Sequence, residues 1–220
     1  MVLDLGELFL LAGASFIAGF SGAIVPGPMF VATVMESTRI GGRAGPLLVI
    51  GHAMAEFFAI LALAIGLSLV MELPTTRLVV GLLGGIFLLI SAIDLLRMAG
   101  KASLKQESKG EGFVLLRYGP IVAGLLTSLS NPYFFVWWAT VGNGFTLEAL
   151  RVGGILGLAV FALSHWMSDL SWYTAVSFSI HKGRRILSDR VYKGILFLCG
   201  AFLIYFGADF IIGSLSSLRI

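Results

Sequence analysis

Residues 46–71 read PLLVIGHAMAEFFAILALAIGLSLVM, a run with one carboxylate, Glu56, and no Lys or Arg. The hydrocarbon core of a bilayer is about 30 Å thick, and a helix rising about 1.5 Å per residue crosses it in roughly 20 apolar residues. The run is therefore long enough to span a membrane. Similar stretches flank it on both sides, at roughly 8–35, 77–97, 118–141, 152–180 and 192–214. Open strand edges do not survive in hydrocarbon, so all six are predicted to be helices.

The composition of the whole chain agrees. Of 220 residues, 58% are hydrophobic and 12% charged, with a mean hydropathy of +0.97. A soluble domain is about 45–50% apolar and about 25% charged. A soluble enzyme, a nucleic-acid binder and a disordered chain are excluded on that ground. The single cysteine, Cys199, excludes a disulfide framework. The first stretch carries Asp4 and Glu7 and no basic residue, so a retained span is expected there instead of a signal peptide.

Charge placement orients the spans. The loops 36–46, 97–117 and 181–193 hold every Lys and Arg except Arg77, Arg151 and Arg219. The positive-inside rule assigns those three loops to the cytoplasm and both termini to the outside. The net charge of +3 thus reports topology, and no nucleic-acid partner is expected.

The two halves of the chain resemble each other. Residues 51–56, GHAMAE, match 164–169, SHWMSD; residues 85–88, GIFL, match 200–203, GAFL. Ala18-Gly19 followed by Pro26-Gly27-Pro28 matches Ala123-Gly124 followed by Asn131-Pro132. The expected organisation is a three-helix repeat over 1–100, a cytoplasmic linker over 101–117 and a second three-helix repeat over 118–220. With an odd number of spans per repeat, the second enters the membrane inverted. Inverted repeats are the architecture of secondary transporters, with the site at the repeat interface near mid-membrane.

Several residues are candidates for that site. Pro26, Gly27 and Pro28 are predicted to break the first span, and Asn131-Pro132 the fourth. A helix restarting there presents N–H groups suited to a carboxylate. His52 and Glu56 share a helix face at i and i+4, as do His165 and Asp169. Ionisable groups inside spans are expensive and mark function. Proton relay, capture of a substrate cation and metal ligation all remain open for these four. No Lys or Arg lies deep in a span, so the lining favours cations or zwitterions. Trp137, Trp138, Trp166, Trp172 and Tyr173 are expected mainly as interface anchors, with Trp166 nearest the site. Asp94 with Arg97, and Glu36 with Arg39, read as structural pairs near the membrane surface. No motif for acyl transfer, metalloproteolysis or ATP binding is present, so an enzyme is not expected and no cofactor is required.

The spacing from Pro26 resembles the signature of the LysE/RhtB family of small exporters: P-G-P, twelve residues, Gly, three, Gly, five, Gly, three, Gly. Here Gly41, Gly45 and Gly51 fall in register, and Ala55 replaces the last glycine. The resemblance implies a proton-motive-force-driven exporter of amino acids or related solutes in a prokaryotic cytoplasmic membrane. It also implies that Pro26, Gly27 and Pro28 belong to the transport core. A divalent-cation exporter with His52, Glu56, His165 and Asp169 as ligands is the first alternative, and a non-transporting membrane scaffold the second. A six-helix unit of this size forms its pathway alone or in a homodimer.

Overall fold

The computed structural model describes residues 4–66, 73–101, 117–183 and 188–216. Most of the expected linker, 102–116, lies outside the described residues. The helices are α1 (Leu5–Ala23), α2 (Pro28–Ile40), α3 (Ala44–Ala64), α4 (Pro74–Lys101), α5 (Pro120–Leu129), α6 (Pro132–Trp137), α7 (Asn143–Gly183) and α8 (Asp189–Ser216). A 3-10 turn joins α2 to α3, a π turn joins α6 to α7, and no strand occurs among the described residues. Pro28, Pro74, Pro120 and Pro132 each open a helix, where a missing N–H leaves no bond unmade. Asp4 caps α1 by accepting from the Gly6 amide at 2.8 Å.

Among the described residues, five helical stretches are long and apolar enough to cross a membrane. The one expected at 118–141 differs: Asn131-Pro132 interrupts it, leaving the ten-residue α5, the short α6 and the π turn. The first expected span, 8–35, is likewise two helices, parted at residues 24–27. The helical run that holds the fifth starts at Asn143 but is broken at Gly154 (φ +55°, ψ −128°), where two helices meet at a kink, so the long helix beyond it starts close to the expected residue 152.

Apolar side chains face outward. Phe9 is 78% exposed and Ile155 86%, the reverse of a soluble surface. The centre holds α2, whose Val31, Ala32, Thr33 and Val34 are fully buried. Helix α1 packs on α7, α3 on both α5 and α7, and α4 on α8. In lipid these contacts depend on close approach, not on a hydrophobic drive. A Cβ on Gly45 would overlap the Tyr173 carbonyl, and one on Gly51 the Ile121 carbonyl. A Cβ on Gly85 would stand 2.7 Å from Ile211, and one on Gly200 2.6 Å from Leu96.

Loops expected on one membrane face meet there. The Gly41 backbone (φ +74°) lies against the His181 ring, and Lys193 Nζ donates to the Gly100 carbonyl at 3.1 Å. At the other end Arg151 bridges Glu148 at 2.6 Å and Glu7 at 3.6 Å. Arg97 pairs with Asp94 at 3.8 Å, as its spacing predicts. Glu36 pairs with Arg39 but is 1% exposed, deeper than a residue at the interface.

Candidate functional site

The two helix breaks face each other. Residues 24–27 leave α1, and Gly27 turns extended (φ −97°, ψ −171°) before Pro28 starts α2. Across from it, Asn131 (φ −91°, ψ 112°) caps α6 by accepting from the Tyr133 amide at 3.1 Å. A Cβ on Gly27 would lie 3.3 Å from Asn131 Nδ2. Helix α6 keeps its own cap, whereas Gly27 supplies no side chain to cap α2. Asn131→Ala is expected to lower stability by about 1 kcal/mol, measured as thermal unfolding in detergent.

A cavity opens between the breaks. Gly27, His52, Glu56, Asn131, His165 and Asp169 line it, while Pro26, Pro28 and Pro132 do not. The prolines shape the site without walling it; Pro132 packs instead beneath Gly84 of α4. Helix α3 supplies His52 and Glu56, and α7 supplies His165 and Asp169, so four groups from two spacings converge as the shared faces predict.

One carboxylate stands between two imidazoles. Glu56 Oε1 lies 3.2 Å from His52 Nε2 and 2.9 Å from His165 Nε2. His165 Nε2 is 3.6 Å from Asp169 Oδ2. Glu56, His165 and Asp169 are nearly inaccessible, and His52 retains 15% exposure towards the cavity. Glu56 Oε2, His165 Nδ1 and Asp169 Oδ2 have no hydrogen-bond partner among the described residues. One ligand atom each from His52, Glu56 and Asp169 lie within 4.8 Å of one another. Buried polar atoms left unpaired in low dielectric are costly unless something occupies them.

The rest of the wall holds residues with other expected roles, or none. Trp137 and Trp138 are buried against the His165 ring, at 4.8 Å and 5.5 Å between centroids, and are not surface anchors. Tyr173 is also buried there, donating to the Ala23 carbonyl at 3.3 Å. Trp166 does not line the cavity; it packs beside the Phe161 cluster. Ser128 was not foreseen, although Thr127, Ser128, Ser130 and Asn131 form a polar run in an otherwise apolar stretch. Its hydroxyl sits 2.6 Å from His52 Nδ1. Helix α1 closes the site so tightly that a Cβ on Gly19 would overlap Ser168 and stand 3.0 Å from His165 Nδ1.

The family model for LysE type translocators matches residues 20–214, which include both breaks and all four ionisable groups. The chain belongs to the LysE type translocator family. The translocator is thus a multi-pass membrane protein that moves a small molecule, not a member of an enzyme family. Comparison with curated proteins and with solved structures found no match.

Proposed function

We propose that the translocator is a secondary exporter of an amino acid or related small zwitterion or cation, driven by protons, in the cytoplasmic membrane of a prokaryote. The observation that carries this reading is the meeting of the two helix breaks with His52, Glu56, His165 and Asp169 around one cavity. The uncapped start of α2 suits a solute carboxylate, and Glu56 with Asp169 suits an ammonium group. The two histidines, whose ordinary pKa is about 6.5, supply groups able to exchange protons near neutrality.

Inverted three-helix repeats, 1–100 and 118–220, are part of the proposal. Exchanging the halves turns the α1–α7 contact into the α5–α3 contact and leaves α4–α8 paired with each other, and all three occur. Adding 115 to 85 and 96 gives 200 and 211, and the close approaches Gly85–Ile211 and Gly200–Leu96 obey that shift. The basic loops supply the orientation, with both termini outside.

The test is flux into proteoliposomes holding the purified protein alone. An imposed pH gradient is expected to drive uptake of at least one labelled amino acid, and a protonophore to collapse it. A panel of amino acids, organic cations and divalent metal ions that shows no gradient-dependent flux would overturn the reading and bring the scaffold forward.

A further inference from the structure

Ser128 settles which nitrogen of His52 faces the carboxylates. The Ser128 hydroxyl donates its one proton to the Gly124 carbonyl at 2.7 Å. Its oxygen therefore accepts from His52, and the 2.6 Å contact is Nδ1–H to Oγ. Neutral His52 then presents the Nε2 lone pair to the cavity, 3.2 Å from Glu56 Oε1. Two lone pairs facing each other in a buried site call for a positive charge between them, which either a proton on Nε2 or a metal ion supplies.

The surrounding groups match one kind of cation. His165 Nε2–H donates to Glu56 Oε1 at 2.9 Å, holding that oxygen and leaving Oε2 free. Asp169 Oδ2 likewise accepts no hydrogen bond among the described residues, with His165 Nε2 3.6 Å away. One imidazole nitrogen and two carboxylates thus offer ligand atoms within 4.8 Å of one another, and among the described residues no Lys or Arg lines the cavity. Tetrahedral ligation at about 2.0–2.1 Å places ligand atoms about 3.3 Å apart. Imidazole with carboxylate selects a first-row transition ion, whereas magnesium and calcium prefer all-oxygen shells. A ligating histidine whose second nitrogen is held by a hydrogen bond is the usual outer arrangement of such sites.

We infer that the cavity takes a divalent transition-metal ion, with zinc as the type, on His52 Nε2, Glu56 and Asp169. Ser128 and His165 act as positioning residues. The inference rests on the reading of this cavity as the transport route and names the class of cation that the route accepts.

The experiment is isothermal titration of Zn²⁺ into the full-length, chelator-stripped protein in detergent, with bound metal counted by mass spectrometry. One ion per chain is expected in the micromolar range or tighter. His52→Asn retains a polar group for Ser128 but lacks Nε2, and is expected to weaken binding at least about 100-fold. Ser128→Ala is expected to weaken it about 10-fold, within the range for outer-shell changes. Metal-free thermal unfolding and gel filtration identify misfolded variants, and Ser128→Ala carries the test if His52→Asn fails to fold. Equal zinc affinity in wild type and both variants would overturn the site. Absence of zinc binding beside gradient-driven amino-acid flux would overturn the metal and leave the transport reading standing. Absence of zinc binding and of all flux would remove both.

Discussion

Glu56→Gln is expected to reduce transport at least about 100-fold, equivalent to about 2.7 kcal/mol of lost stabilisation of the rate-limiting step. The amide matches the carboxylate in shape, so the change removes charge without opening space. Glu56 Oε1 is the common partner of His52 and His165, one from each half of the chain. Removing that charge also leaves two buried imidazoles facing a neutral group, and breaking a buried ionic arrangement costs about 3–5 kcal/mol. Flux in proteoliposomes and thermal unfolding in detergent measure the two effects separately. Wild-type flux in Glu56→Gln would place the route elsewhere.

Gly51→Val is the second large effect, and it acts on the scaffold. A Cβ there would overlap the Ile121 carbonyl and stand 2.7 Å from the Leu125 amide. Gly124, on the facing helix, meets the Leu48 carbonyl as closely. Both obstacles are backbone, which cannot rotate aside as a side chain does. Overpacking usually costs about 1–3 kcal/mol, and a forced separation of α3 from α5 should reach or exceed the top of that range. Folded yield after detergent extraction is expected to collapse. Gly144→Ala is the control, because a Cβ there meets nothing within 4 Å. It should leave yield unchanged.

These two sites show what the sequence made legible. Gly45 and Gly51 stood out through their spacing from Pro26, and both turn out to be points where another backbone approaches. The i, i+4 pairs His52/Glu56 and His165/Asp169 were legible because a helix face follows from residue number alone. The breaks at Pro26–Pro28 and Asn131-Pro132 were legible from proline chemistry. What lies outside such local rules was not. Hydropathy merges α1 with α2 because the turn between them is itself apolar. It also cannot register the left-handed backbone at Gly154, which has no side-chain signature. Trp137 and Trp138 have the composition of a membrane belt, and only the packing of the π turn against α7 brings them inward against His165. Ser128 is one serine among many until α5 is laid beside α3.

The sharing of Glu56 between two histidines has a consequence for release. His52 and Glu56 belong to α3, and His165 and Asp169 to α7, so the proposed ligand set is complete only while those helices touch. Any rocking that parts them to open a path to one side also dismantles the binding site. Access and affinity are then opposite ends of a single coordinate: the motion that uncovers the cargo is the one that lets it go.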